Sequence, residues 1–441
     1  MDILEANPPV ESLPEDYSYM GNGFKAQESR RILQVYSLIR IDRKQRQVKI
    51  HRLVQENAMI HLSKDQAAKA FITAAKLLHR AFPSLRLLKS HDIMTQRDIC
   101  SKYCEHILAM LKCFDDLHVD IEPFRELTEL IEIVFWYCRS NGLYRTAIPL
   151  YDTCAAIYQR GGDGCLYHAC QLRFNVGHMY RNSDNAIEAL RIFQEAYCLL
   201  QRAVELKRIP PEHPDIANAL TDIGVALVQL QRYQEAEEWQ DKGIAMSLRI
   251  KPDQLPSMLC VNKSWCLWKL GRLDEASGLL ERVQQNCRLG HRINSHLRRV
   301  YSFSLRVLGN VRIAQGKLDE AFAIHEEAFD VHRQLFGDKH FETGILSYRL
   351  GCHLQDRNRM DEALVYYRAA LTIFQNSSVS MTSSIIRTKY KLGCLLQQLG
   401  QEEASKLRIQ AAKEREALHK IPSTEQDNME AYDSLVPYWA W

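Results

Sequence analysis

A tandem repeat of about 42 residues constrains the fold of this chain more strongly than any other feature of its sequence. Segments 308–328 and 350–370 align without a gap, and each carries a glycine near its start with alanines twelve and nineteen residues after it. Apolar residues recur at helical spacing through both segments, so each unit is predicted to be two helices around a tight turn. The small residues would let the two helices approach closely.

Marker pairs of the same kind divide residues 120–418 into about seven units. The pairs are Phe135 with Ala147, Gly177 with Ala189, Gly224 with Ala236, Ser264 with Ala276, Gly309 with Ala321, Gly351 with Ala363, and Gly393 with Ala404. Their first members lie 42, 47, 40, 45, 42 and 42 residues apart. Such helix pairs bury their apolar faces by stacking. We therefore predict an all-α fold, a right-handed superhelical solenoid whose first helices line a concave groove.

Two linkers between units indicate the type of repeat. The stretches HRQLFGDKHFET, from His332, and PPEHPDIANAL, from Pro210, resemble the linkers of the tetratricopeptide repeats (TPRs) of kinesin light chains. The resemblance implies a groove that binds peptides or helices of other proteins. Phe135 and Lys263 depart from the pattern of that family, so the register of the first and fourth units is open.

In the register of that repeat, the groove is lined by positions three before, one after and four after each first marker. The candidate groove residues are Trp136, Arg139, Phe174, His178, Arg181, Trp265, Trp268, Arg306, Asn310, Tyr348 and Tyr390. Aromatic and arginine side chains dominate binding energy at interfaces. We expect a protein or peptide ligand with apolar and acidic side chains. An alternative for Trp265 and Trp268 is packing between adjacent units.

Upstream of the repeats, the apolar pattern predicts a small winged-helix-like unit. Its elements are a helix (28–35), two strands (36–41 and 47–50) and two helices (52–62 and 64–81). The predicted wing is basic, with Arg40, Arg43, Lys44, Arg46 and Lys49. Such a wing can lie along phosphates, so a nucleic-acid-associated regulator is an alternative function. The other interpretations are a solvated turn or contact with an acidic protein surface.

The stretch YSLIRIDRKQRQVKIHRLVQ, from Tyr36 to Gln55, resembles the winged helix that follows the nucleotide-binding domain in fungal relatives of the NLR family, the STAND NTPases. Segments 100–110 (CSKYCEHILAM) and 432–441 (YDSLVPYWAW) are similar to the start of the repeat array and the C-terminus of that family. The resemblance spans residues 27–441. It implies that the histidine at the position of His51 faces the phosphate of bound ADP.

The nucleotide site itself is not expected in this chain. The sequence has no G-x-x-x-x-G-K-[ST] motif, and only about 27 residues precede the wing. We therefore expect no cofactor, and His51 is a vestigial nucleotide-sensing position; the alternative is that it completes a site on a separate protein. On this interpretation the chain is the regulatory and sensor half of a switch protein.

Composition narrows the function class further. The 57 Lys and Arg nearly balance the 54 Asp and Glu, so no global field attracts nucleic acid or anionic membrane. Thirteen cysteines scattered through apolar segments are typical of a reducing compartment, the cytoplasm or nucleus. No window is apolar enough to cross a membrane. Cys165, His168 and Cys170 would not converge on zinc from one helix, and catalytic signatures are missing, so we expect no metal and no catalytic residue.

The predicted organisation is a flexible acidic leader (1–27), the winged-helix-like remnant (28–84), a helical adaptor (85–119), the TPR-like array (120–418) and a C-terminal tail (419–441). The tail would cap the last repeat or serve as a ligand for another groove. The predicted function is a non-catalytic adaptor that regulates an NLR-like switch protein. An auxiliary protein of a fungal specialised-metabolite pathway is a further alternative. Partner, pathway and oligomeric state stay open.

Overall fold

The computed structural model describes residues 13–36, 38–42, 47–82, 93–288, 295–377, 379, 381–419 and 428–437. It is an all-α solenoid of helix pairs, as predicted, with a small β-ribbon near the N-terminus. The chain forms two compact units. Unit 1 contains the described residues up to Ser140 together with Arg145–Val176, and unit 2 contains Asn141–Tyr144 and the described residues from Gly177 onward.

The N-terminal part of unit 1 is a two-stranded ribbon with three helices. The elements are α1 (Gly23–Val35), β1 (Ile39–Asp42), β2 (Gln47–Ile50), α2 (Arg52–Ile60) and α3 (Lys64–Ala81). The strands pair antiparallel, with Arg40 opposite Lys49. A capping box between Ser63 and Gln66 fixes the start of α3. The order and type of these elements agree with the sequence prediction, and their bounds differ from it by a few residues.

The leader predicted over residues 1–27 differs from the structure where it is described. Glu15–Gly21 is a 3-10 helix, and Asn22 caps the start of α1 through its side chain. The Asp16 carboxylate lies 2.8 Å from the Lys69 ammonium on α3. An asparagine before a helical segment is a start signal, so α1 begins before the predicted boundary.

The rest of unit 1 is helical, and its last helix pair is irregular. It contains α4 (Ile93–Asp116), most of α5 (Arg125–Asn141), α6 (Tyr144–Ala147) and α7 (Tyr151–Arg160). A 3-10 segment, Ile148–Leu150, separates α6 from α7. Pro149 explains the interruption, because proline lacks the N–H that a continuous helix would use.

The remaining helices continue the array. They are α8 (Leu166–Asn182), α9 (Ala186–Glu205), α10 (Pro214–Gln229), α11 (Tyr233–Ile250), α12 (Ser257–Lys269), α13 (Leu273–Cys287), α14 (Ser295–Ala314), α15 (Leu318–Phe336), α16 (Phe341–Asp356), α17 (Met360–Gln375), α18 (Thr382–Gln398), α19 (Glu403–His419) and α20 (Met429–Asp433). From α9 to α19 each helix packs on the next. The first helices α10, α12 and α14 also contact one another. We call α10, α12, α14, α16 and α18 the inner row.

The small markers let the helices of each pair approach closely, as predicted. A Cβ on Gly309 would lie 2.3 Å from the His325 ring, and one on Gly351 would lie 2.7 Å from the Tyr367 ring. Each contact joins a marker to the residue sixteen positions later, or fifteen in the last unit. The contacting pairs are Gly177 with Phe193, Gly224 with Gln240, Gly309 with His325, Gly351 with Tyr367, and Gly393 with Arg408.

The turns between paired helices carry a second periodic mark. The seventh residue after each first marker has a left-handed backbone, with φ between 60° and 76°. These residues are Gly142, Asp184, Gln231, Gly271, Gly316, Asn358 and Gly400. The offset from Phe135 and Ser264 equals that in the other units. The register of the first and fourth units, open in the sequence, therefore follows the common period.

Candidate partner-binding surface

The centre of the inner row is built around the buried Arg306 of α14. Its guanidinium lies 5.1 Å from the Phe303 ring centre and 5.7 Å from that of Trp265. It forms an ion pair with Glu342, which is also buried, at the start of α16. The charge of Arg306 is therefore compensated by a carboxylate of the next repeat.

Three buried histidines lie behind this ion pair. The two rings of His325 and His353 are joined by a 2.8 Å hydrogen bond between Nδ1 of His325 and Nε2 of His353, while His332 bonds to the Ala328 carbonyl. Burial, together with the charges of Arg349 and Arg357, lowers the pKa of His353 to about 4. Burial also holds the pKa values of His325 and His332 well below the usual range. All three rings are neutral at pH 7.

Asn310 of α14 is a buried polar residue of the inner row without hydrogen-bond partners in the described part of the chain. Its side chain is 2% exposed, and neither amide atom has a hydrogen-bond partner among the described residues. A buried carboxamide without partners is costly, since it has lost its hydrogen bonds to water. Its donor and acceptor match those of a peptide backbone.

The C-terminal end of the inner row repeats one stacking arrangement in successive units. The Arg387 guanidinium of α18 lies 4.0 Å from the ring centre of Tyr348 on α16. One repeat later, the Tyr390 ring of α18 stacks on Tyr432 of α20, with centroids 3.8 Å apart and planes at 11°. The Arg415 guanidinium lies 4.9 Å from the other ring of that stack, Tyr432. Helix α20 therefore lies where the first helix of a following repeat would pack.

Asp433 of α20 lies among cations of the inner row. Its carboxylate is 3.7 Å from the fully buried Arg387. Arg349, Lys391 and Lys269 also interact with it electrostatically. Burial raises the pKa of Asp433, and these four cations oppose that rise. Lys269, Arg349 and Arg387 belong to three different repeats, so charges from separate repeats act on this carboxylate.

The other predicted groove residues occupy varied environments. In unit 1, Trp136 and Arg139 are half-buried and Phe174 is buried. In unit 2, His178 lies 3.3 Å from Asp222, and Arg181 donates to the Asn182 side chain.

The two tryptophans of α12 contact each other. The Trp265 and Trp268 rings meet edge to face, with centroids 5.5 Å apart. Trp265 is buried, whereas Trp268 is half-buried and has the Lys269 ammonium 4.3 Å from its ring centre.

The groove register missed Lys269, Arg349 and Arg387. It assigns three positions per repeat to the groove, and these cations lie at other positions. Arg387 precedes Tyr390 by three residues, which places both side chains on one face of α18. Scoring the face one turn toward the start of each first helix would have found Arg387.

His51 has a local structural role. Its Nδ1 accepts a hydrogen bond from the Leu53 N–H and caps α2. His213 and His340 cap α10 and α16 in the same way, each through Nδ1 and the N–H two residues later. His51 is therefore one of three histidine helix caps in the chain's described part.

The basic wing is described only at its base. Arg40 and Lys49 are exposed and lie opposite each other on the ribbon, whereas Arg43, Lys44 and Arg46 lie outside the described residues. At the other end, the aromatic residues Tyr438, Trp439 and Trp441 also lie outside them.

The thiols have the character of core residues. All thirteen cysteines are free, and most are buried. Burial raises the pKa of Cys100 and Cys266 to about 12, so these thiols stay protonated and unreactive at neutral pH. Among the described residues there is no group of three or more His, Cys, Asp or Glu placed to hold a metal ion. Nor does any helix in the described ranges have the length and apolar character of a membrane span.

Comparison with known protein families agrees with the repeat. A family model described as tetratricopeptide repeat matches residues 300–376, and another of the same description matches 175–215 and 216–250. The chain therefore contains TPRs. A domain of unknown function (DUF7779) matches residues 2–67, which include α1, the ribbon and α2. No curated protein matches this sequence significantly.

Several solved structures are similar to this chain at low sequence identity. A STAND protein with a tetratricopeptide repeat sensor from Pyrococcus horikoshii is 13% identical, with a TM-score of 0.50 over 98% of this chain and 58% of that one. The chain thus spans less than two thirds of that protein. BtubC (BKLC) from P. vanneervenii is 16% identical over 54% of this chain and 96% of that one, with a TM-score of 0.43. A Rap protein complexed with competence and sporulation factor is 12% identical over 84% and 96% of the two chains, with a TM-score of 0.47.

Proposed function

We propose that this chain is a non-catalytic adaptor whose inner row binds a segment of a partner protein with apolar and acidic side chains. The observation that carries the proposal is the 3.7 Å ion pair between the fully buried Arg387 of the inner row and the partly exposed Asp433 of α20. Lys269, Arg349 and Lys391 also interact electrostatically with that carboxylate. Like charges gathered from separate repeats repel one another unless an anion lies between them. A partner carboxylate would supply that anion.

The rings beside the cations supply the apolar part of the surface. Tyr348 and Tyr390 lie on neighbouring helices of the inner row, and each ring is covered by a flat group, Arg387 of α18 over Tyr348 and Tyr432 of α20 over Tyr390. Aromatic residues and arginines are the side chains that most often anchor interfaces. An aromatic side chain next to an acid would therefore complement this end of the row.

The charge of the surface can be tested without disturbing the buried core. Lys269 and Lys391 are half-buried, so a Lys269→Glu/Lys391→Glu variant is expected to keep the fold. Affinity purification from the native cell with quantitative mass spectrometry should show a partner that wild type captures and this variant loses. The matched control is Lys406→Glu/Lys413→Glu, since both lysines are exposed on α19 and the charge change is equal.

Circular dichroism establishes that both variants are as helical as wild type. Equal partner sets for wild type and the Lys269→Glu/Lys391→Glu variant would contradict binding at this surface.

The ribbon supports a second candidate, binding of nucleic acid. Arg40 and Lys49 are exposed and directly opposed across the two strands, so two cations lie side by side at the base of the ribbon. A phosphate backbone would provide an anion for them. Affinity for duplex DNA or RNA should then fall steeply with salt, and Arg40→Glu/Lys49→Glu should flatten that dependence. A salt slope that is the same for wild type and variant would reject this function.

A further inference from the structure

We infer that the segment Asn428–Pro437, called here the tail segment, is an internal occupant of the surface, and that a partner competes with it by presenting the same chemistry, an aromatic ring followed directly by a carboxylate. The inference rests on the proposed function and names the ligand class. Within the tail segment that pair is Tyr432 and Asp433.

The ring of the pair fills a site that the repeat itself defines. Tyr348 and Tyr390 are equivalent residues 42 positions apart. Tyr348 is covered by Arg387, which belongs to the next first helix, and Tyr390 is covered by Tyr432. The tail segment thus takes the place of a repeat helix. Around Tyr432 the site is completed by Ile386 and Ala411, both buried.

The carboxylate of the pair faces cations of the inner row. Asp433 lies 3.7 Å from Arg387, is 28% exposed, and interacts electrostatically with Lys269, Arg349 and Lys391. At the centre of the row, Arg306 forms an ion pair with Glu342, a carboxylate of the next repeat. At this end the compensating carboxylate comes from outside the repeats. The array therefore offers an acid-binding position that is filled in cis.

The tail segment makes a small contact that a partner could replace. Its helix, α20, has five residues, and a helix this short is not stable without tertiary contacts. Asn428 caps it, and Tyr432 and Val436 are its buried side chains. Only residues 420–427 join it to α19, so its local concentration at the surface is high although the contact is small. A partner with a longer contact and the same aromatic-acid pair can displace it.

The test supplies the tail segment in trans. A fluorescein-labelled peptide of residues 428–437 is titrated with the full chain by fluorescence anisotropy, using wild type and the variant Tyr432→Ala/Asp433→Lys. The variant removes the ring and places a fifth cation among four, so its own tail should leave the surface. We expect the peptide to bind the variant at least about ten-fold more tightly than wild type, because wild type must first release its tail.

Specificity is measured with two further reagents. A peptide carrying Asp433→Lys should fail to bind the released variant. Adding Lys391→Glu to that variant should weaken peptide binding, whereas adding the exposed Lys406→Glu should leave it unchanged. Circular dichroism confirms folding, and Tyr432→Phe/Asp433→Lys, which keeps an apolar ring, serves as a milder released chain.

Three results would overturn the inference. They are equal peptide affinity for wild type and both released variants, binding that ignores the charge at position 433 of the peptide, and no binding to either released variant. A tail that only caps the array would produce the last result together with a loss of thermal stability. Partner capture by the lysine variants is measured without the peptide, so a failure here is separable from a failure of the proposed function.

Discussion

Two buried arginines of the inner row, Arg306 in the fifth repeat and Arg387 in the seventh, have their charges compensated by different carboxylates. Both are buried, and both guanidinium groups lie over aromatic rings. Arg306 pairs with Glu342, a buried carboxylate of the next repeat, whereas Arg387 faces the partly exposed Asp433 at 3.7 Å. The centre of the row is self-contained, and its C-terminal end depends on a segment outside the repeats.

The largest expected effect comes from removing the internal counter-charge. Glu342→Ala would leave Arg306 buried without its carboxylate, so unfolding free energy should fall by about 3–5 kcal/mol. Asp433→Ala should cost roughly 1 kcal/mol or less, because its ion pair is long and partly exposed. Urea denaturation of both variants measures the difference. Equal losses of unfolding free energy would remove the distinction between the centre of the row and its C-terminal end.

Acidification should act mainly on the centre. His325, His332 and His353 have folded-state pKa values below the usual 6.5, so the unfolded chain binds more protons than the native chain below that pH. Stability is then lost as the pH falls from 6.5 toward 4, by about 1 kcal/mol per histidine over the first unit.

Asp433 contributes with the opposite sign. Its folded-state pKa is raised, so the native chain binds the proton more tightly, and stability from this group is lost as the pH rises through that value. Thermal unfolding from pH 4 to 7 tests both signs. His353→Gln should reduce the slope between pH 4 and 6.5 by up to one proton, and an unchanged slope would place the titration elsewhere.

Close packing at the centre gives the next effect. Gly309→Ala would place a Cβ 2.3 Å from the buried His325 ring, which is fixed by hydrogen bonds to His353 and to the Arg306 carbonyl. We expect a loss of about 1–3 kcal/mol in urea denaturation. Gly278→Ala on α13 is the control, since nothing lies within 4 Å of its Cβ position. If Gly309→Ala left the unfolding free energy unchanged, the packing around His325 would have to rearrange as easily as an exposed site.

The smallest effect concerns a turn between the two helices of the third repeat. Gln231 has φ 61°, a conformation that costs a residue with a Cβ about 1 kcal/mol. Gln231→Gly should therefore stabilise the chain by roughly 0.5 kcal/mol after the entropic cost of glycine. Differential scanning calorimetry can detect the change in Tm. Gly316→Ala, where φ is 76°, should shift Tm in the opposite direction.

The sequence predicted the periodic parts of the molecule and missed the solitary ones. The marker glycines were recognisable because small residues recur at a regular spacing along the chain. The ribbon was recognisable because apolar and polar residues alternate along its strands. The break at Pro149 was missed because only one repeat carries it. The sequence predicted that the tail would cap the last repeat or bind another groove, but no repeated spacing points to the particular stack of Tyr432 on Tyr390.

The sequence predicted the types of charged residue on the inner row but not how they pair. Arginines and aromatic rings were expected on the inner row, but the pairing of Arg306 with Glu342 depends on a side chain that reaches across from the next repeat. Lys269, Arg349 and Arg387 lie in different repeats, and their electrostatic interaction with Asp433 depends on how those repeats stack. Distances between repeats are a property of the folded chain, and a register within one repeat does not contain them.

The left-handed turns also determine where this chain can change length. The turn residue follows its marker by seven positions in every unit, whereas successive markers lie between 40 and 47 residues apart. Most of the length variation therefore lies outside the marker-to-turn segment, in the second helices and the connections between pairs, and the seventh pair also lacks one residue between its turn and its second marker. Insertions between helix pairs would be tolerated at little cost. One added residue inside a pair would rotate the second helix by about 100° and turn its marker alanine away from its neighbour.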